Sequence, residues 1–169
     1  MQPQRQNQLH VLLVEHEPDV LNRNSALLLA DGYDISTARV ADGLSERVTR
    51  IQPHLVLMDV LMPGLDTREL AKLAARCRGG SEPVLVVHSK LLRPMLKRVI
   101  DVRAVFGSIP KSDNDAEFLR QFREVADRLT SEMPTQVFVP RPLSVASSGT
   151  YAVTPQPEAM RGRSQRHGS

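Results

Sequence analysis

The chain has no tryptophan, a single cysteine and only 4% aromatic residues. A core built from this composition must be aliphatic, and base stacking on nucleic acid is not expected of it. One thiol, Cys77, cannot form an internal disulfide and suits a reducing cytosol. There is no amino-terminal apolar run of signal-peptide length and no run long enough to span a bilayer, so a cytoplasmic protein is expected. Charge of one sign is also lacking in the part that folds. The formal net charge is +3. From Met133 onward, Arg141, Arg161, Arg163 and Arg166 outnumber Glu158, which leaves residues 1–132 close to neutral.

Hydrophobic residues make up 41% of the 169, enough for one ordinary domain and a modest extension. Residues 1–8 are polar and Gln-rich and read as a disordered lead-in. Residues 9–132 alternate apolar runs with helical patterns. Strands are expected at Leu9 to Val14, Tyr33 to Ala38, Leu55 to Met58, Pro83 to Val87 and Ala104 to Ile109. The first helix starts at Pro18 and ends at Gly32. Leu44, Val48 and Ile51 give a short second helix. Asp66 and Glu69 suggest a capping box opening a third helix that stops at Gly79-Gly80. A fourth helix is expected from Arg93 to Asp101. A fifth runs from about Asn114 to Thr130, with Phe118, Leu119, Phe122, Val125, Ala126 and Leu129 as its stripe. Five strands alternating with five helices imply an α/β, doubly wound parallel sheet covered on both sides. From residue 133 to 169 the periodicity stops among scattered prolines, and a disordered tail is expected. Gln136 to Val139 is its one stretch able to add as an edge strand.

The third strand is the focus of the chain. Leu55-Val56-Leu57-Met58 runs into Asp59, and Pro63-Gly64 and the capping Asp66 follow. An acid at the carboxyl end of a buried strand is costly without a partner, and ligands of open α/β sheets bind at that edge. The order Leu-Met-Asp-Val-Leu-Met-Pro-Gly-Leu-Asp resembles the phosphoacceptor segment of bacterial response regulator receiver domains, and the resemblance covers residues 9 to about 131. It implies the flavodoxin-like strand order 2-1-3-4-5. It implies Asp59 as phosphoacceptor, two acids after the first strand that bind Mg2+ with Asp59 and the Leu61 carbonyl, a Thr or Ser after the fourth strand, a Lys after the fifth, and an aromatic switch residue. Glu15, Asp59 and Lys111 match. His16 stands in the second acid slot, His88 in the hydroxyl slot and Ser108 at the switch position. His54 and Thr67 also depart from the usual pattern, with little chemical consequence, and Pro110 precedes Lys111 where many receivers have a proline after it.

Magnesium prefers hard oxygen ligands, and a neutral imidazole is a poor substitute that suits manganese or zinc better. Mg2+ binding is therefore expected to be weak or absent. With His16 protonated, Glu15, Asp59, His16 and Lys111 balance without any metal, and the two carboxylates favour that charged ring. His88 has two readings: a ring nitrogen donating to a phosphoryl oxygen, or a strand-end residue facing solvent. Lys111 is expected in a partly hydrated pocket, where ion pairs contribute little.

The resemblance implies a stand-alone two-component signalling protein and not an enzyme. It would take phosphate from a histidine kinase or phosphotransfer protein and act on a downstream protein target, with a homodimer open to it. The alternative is a pseudo-receiver, a phosphate-independent interaction module. Partnership with nucleic acid or membrane is disfavoured: the tail's arginines are few and separated, and nothing after Thr130 resembles a helix-turn-helix. Leu92, Met95, Leu96 and Val99 make the fourth helix more apolar than one buried face requires, unless all of them pack in the core.

Overall fold

Four apolar residues without polar alternation make a strand that must be covered on both faces. Leu55–Met58 is that strand, β3, fully buried at the centre of a five-stranded parallel sheet. The computed structural model describes residues 9–133, so the expectations for residues 1–8, for the tail beyond Met133 and for Gln136 to Val139 lie outside it. The elements follow in order: β1 (His10–Val14), α1 (Pro18–Ala30), β2 (Asp34–Ala38), α2 (Leu44–Ile51), β3, α3 (Thr67–Arg76), β4 (Val84–Ser89), α4 (Arg93–Val99), β5 (Gly107–Pro110) and α5 (Asp115–Glu132). The strand order is β2-β1-β3-β4-β5, the expected one.

Alternation along the strands divides the core in two. Leu12, Val14, Val56, Met58, Leu85 and Val87 face α2, α3 and α4, meeting Leu44, Val48, Leu70, Leu73 and Leu96. Val11, Leu13, Leu55, Leu57, Val86 and Ile109 face α1 and α5. All four described aromatic residues, Tyr33, Phe106, Phe118 and Phe122, lie on this second side, while the first side is aliphatic. Burial of a ring such as Phe122 contributes about 1.5–3 kcal/mol. Met133, one residue past α5, also packs here.

Local signals explain most boundaries. After α1, Gly32 takes φ +95°, its N–H bonds to Leu29 O and the Tyr33 N–H bonds to Leu28 O. This is the left-handed helix stop that glycine permits. Asp66 caps α3 by accepting from the Glu69 N–H at 2.7 Å. The reciprocal half of the expected capping box is not made. Glu69 instead accepts from the Ser45 hydroxyl at 2.9 Å and ties α3 to α2. Gly79 and Gly80, both at positive φ, form the turn into β4, and α3 itself ends earlier at Arg76.

Three larger differences have a clear cause. α4 stops at Val99 because Ile100 turns extended, and Asp101 then accepts from the Arg103 N–H to cap a 3-10 turn, Val102–Ala104. Ala104 and Val105, strand-like by composition, are thereby taken out of β5, which starts at Gly107. β4 runs two residues further, because His88 and Ser89 pair with Ile109 and Pro110.

Candidate functional site

The carboxyl ends of β1, β3 and β5 bring the charged residues together. The Asp59 N–H bonds to Val14 O, and the Glu15 N–H bonds to Ala38 O, so each acid extends a ladder by one residue. The Lys111 N–H bonds to Ser89 O and carries the β4–β5 ladder one residue past Pro110. Arg23 fixes the loop beyond, donating to Ser112 O at 3.1 Å and pairing with Asp115.

Three carboxylates meet the ammonium of Lys111. Its Nζ lies 2.7 Å from Asp59 Oδ2, 2.7 Å from Glu15 Oε2 and 3.3 Å from Glu17 Oε1. The Leu61 N–H holds the other Asp59 oxygen at 2.8 Å, and the Glu17 N–H holds Glu15 Oε1 at 3.0 Å. Side-chain exposure is 1% for Glu15, 3% for Asp59 and 6% for Lys111. The expected hydrated pocket is thus a buried one, because the strand ends carry all three groups beneath their own loops. Burial works against the ammonium, but the bonds to Asp59 and then Glu15 outweigh it and raise the Lys111 pKa.

Glu17 is the residue that sequence reasoning passed over. It sits two positions after Glu15, across a bend at His16, and precedes Pro18 at the start of α1. That spacing was the available signal. Lys90 lies 3.9 Å from the same Glu17 oxygen. With Glu17 included, three carboxylates and one ammonium carry a net −2 when His16 is neutral.

His16 lies beside both buried acids. Its Nδ1 is 3.3 Å from Glu15 Oε1 and 3.7 Å from Asp59 Oδ2, and its side chain is 31% exposed. Donor atoms of Glu15, His16 and Glu17 all lie within 4.8 Å of one another, a grouping able to hold a cation. Leu61 is half exposed beside Asp59. Ser108 is half-buried in β5, opposite Val87.

His88 is not at the solvent edge. It is 2% exposed and its ring lies 5.4 Å from that of Phe118, on the α1–α5 side of the sheet. Parity along β4 explains this: His88 follows Val84 and Val86 on that side. Burial, then the positive charge of Lys111, lowers its pKa to about 4, with Asp59 opposing and Arg23 assisting. His88 is therefore neutral at neutral pH, and its Nδ1 has no partner. The hydroxyl beside it, Ser89, is also buried and accepts from the Leu91 N–H at 3.1 Å.

Chemically, the arrangement is a carboxylate held between one ammonium and one backbone N–H, with two further acids against the same ammonium. Such a carboxylate can accept an electrophile, and the acids can balance a divalent cation.

No family model matches the chain. A stretch of 68 residues is 34% identical to the nitrogen assimilation regulatory protein NtrX of Azorhizobium caulinodans, spanning 39% of this chain and 15% of that protein. The chemotaxis response regulator CheY4 of Vibrio cholerae superposes with a TM-score of 0.59 at 19% identity, over 70% of this chain and 98% of that one. The response regulator TrrA of Thermotoga maritima, solved in complex with Mg2+-BeF, superposes with a TM-score of 0.58 at 18% identity, over 69% of this chain and 98% of that one. The chain has the fold of a response regulator receiver domain.

Proposed function

We propose that this chain, a receiver by fold, is a signal-transduction receiver of a two-component system whose phosphoacceptor is Asp59. A histidine kinase or phosphotransfer protein supplies the phosphoryl group, and a downstream protein reads the altered surface. The observation that carries the reading is a buried Asp59 at the carboxyl end of the central strand, paired with Lys111 at 2.7 Å. In the transfer, the phosphorus–nitrogen bond of the donor phosphohistidine breaks and an oxygen–phosphorus bond forms at the Asp59 carboxylate. The donor imidazole leaves with the electron pair and takes up a proton. Phosphoryl transfer depends on positioning and charge neutralisation. The Leu61 N–H orients the carboxylate, and Lys111 turns from Asp59 to the incoming phosphoryl oxygens.

The residues present fit a divalent cation by charge, since Mg2+ would bring the −2 of the pocket to zero. Glu15, Glu17 and Asp59, with the Leu61 carbonyl, would hold it, and when bound it would neutralise phosphoryl oxygens. His16 offers a nitrogen where the usual motif offers an oxygen, so Mg2+ binding is weak. No described helix is long and apolar enough to cross a membrane, and the expected setting is the cytoplasm.

Acetyl phosphate with Mg2+ should add the mass of one phosphoryl group at Asp59, and Asp59→Asn should abolish the addition. His16→Asp should tighten Mg2+ binding, measured by titration, and speed the addition. Failure of both wild type and His16→Asp to accept phosphate while the variant binds Mg2+ would transfer the reading to a phosphate-independent interaction module.

A further inference from the structure

The folded chain is close to neutral but its charge is sharply divided. Residues 67–105, which contain α3, β4, α4 and the 3-10 turn, carry nine Lys and Arg against three Asp and Glu. The rest of the described chain carries eight against fifteen. Two of the three acids in the basic half are already engaged: Glu69 faces Ser45 and Lys72, and Asp101 is held by Arg103. Arg68, Arg76, Arg78, Arg93, Lys97 and Arg98 are exposed and have no acidic partner among the described residues.

The same region has most of the exposed apolar surface. Leu92 is 72% exposed, Met95 54%, Val102 39% and Val99 36%, whereas Leu96 alone of α4 is buried. Core packing therefore does not account for the apolar excess of this helix. Beside it a groove of about 620 Å3 separates α3 from the α4–turn segment. The cause lies in the sequence. α4 ends after two turns, and α3 presents Ala71, Ala74 and Ala75, side chains too short to close the gap. Arg78, Asp101 and Arg103 also line the groove, and since Asp101 and Arg103 pair with each other, Arg78 is its unpaired charge among the described residues.

We infer that the α3–α4 groove receives an acidic amphipathic helix of a partner protein. Large apolar side chains of that helix fill the alanine-lined space and cover Val99, and its flanking carboxylates meet Arg78, Lys97 and Arg98. A nucleic acid would engage the cations and leave the apolar groove empty, and a flat lipid surface cannot enter a concave site. The assignment of this contact to signalling output rests on the receiver reading. The contact itself is measured without a phosphodonor, so its failure leaves acceptor chemistry at Asp59 intact, and failure of that chemistry leaves the contact standing.

The test uses the full, unphosphorylated chain and a fluorescent peptide of about 18 residues, long enough to hold a helix, with leucines at i, i+3, i+4 and i+7 and glutamates between them. Saturable binding is expected by polarisation. Ala71→Phe, which fills the groove, and the pair Arg78→Glu and Lys97→Glu should each weaken it by about tenfold. Reversal of Arg47 and Arg50 on α2 should change it by less than about twofold, and a serine-for-leucine peptide should not bind. The inference is overturned if the peptide does not saturate, if the α2 reversal weakens binding as much as the α3–α4 reversal, or if Ala71→Phe has no effect. Equal binding of duplex DNA or of phosphatidylserine vesicles, with the same response to the variants, would also overturn it.

Discussion

Lys111→Ala should unfold much of the chain's margin of stability. The substitution leaves Glu15 and Asp59, 1% and 3% exposed, with no cation between them. Removing one partner of a buried ion pair costs about 3–5 kcal/mol, since the remaining charge stays desolvated. Glu17, 41% exposed, adds little, because solvent already screens it. Against a typical total of about 5–15 kcal/mol this is a large fraction. For a domain of this size it lowers the thermal midpoint by roughly 10–20 °C. The assay is urea unfolding followed by far-UV circular dichroism, because the chain has no tryptophan to report by fluorescence. Lys111→Met separates charge from packing, as it keeps most of the stem. A similar loss in both variants identifies charge as the cause. A loss below about 1 kcal/mol at pH 7 would refute the reasoning, since that is the value of a solvated pair.

His88 should make stability fall with acid. Its folded pKa of about 4 lies below the ordinary 6.5, so as the pH drops the unfolded chain takes the proton first. Stability is full above 6.5 and is lost down to about 4, by about 3 kcal/mol relative to His88→Leu. Parallel curves for the two proteins across that window would show that the ring is not shielded. Gly32→Ala should cost about 1–2 kcal/mol in the same unfolding assay. No atom crowds the added methyl group, so the cost is that of φ +95° for an L residue, and a change under about 0.3 kcal/mol would mean that the turn relaxes.

The parts of the fold that could be read from sequence were those set by local pattern. Leu55 to Met58, a short apolar run bounded by turn signals, is the doubly covered strand it suited, and the Phe118, Phe122, Ala126 and Leu129 stripe of α5 is buried as its period requires. Asp59, Glu15 and Lys111 meet because their strands are neighbours or near neighbours, an order that came from family resemblance. Periodicity has no access to it. Most of the misses share one origin, a tertiary partner with no local signal. Glu69 left its capping box for Ser45, twenty-four residues away. His88 turned inward because ladder pairing with Ile109 carried β4 past the apolar run. Ala104 and Val105 have strand composition, but the bond from the Arg103 N–H to Asp101 draws the chain into a turn first. Glu17 was passed over because its tie to Lys111, ninety-four residues on, gives its spacing a meaning that the sequence does not show.

The two outer strands have a consequence for how this molecule meets others. β5 is four residues long and ends in Pro110, which offers no N–H, and β2 begins with Asp34 and carries Ser36 and Thr37. Across β5, Arg128 stacks its guanidinium 3.9 Å from the Phe106 ring and bonds to the Phe106 carbonyl. A foreign strand therefore finds a short, capped rim on one side and a polar one on the other, both poor templates for extending the sheet. The chain is thereby guarded against runaway edge-to-edge stacking at high concentration, and recognition is left to the helical layers.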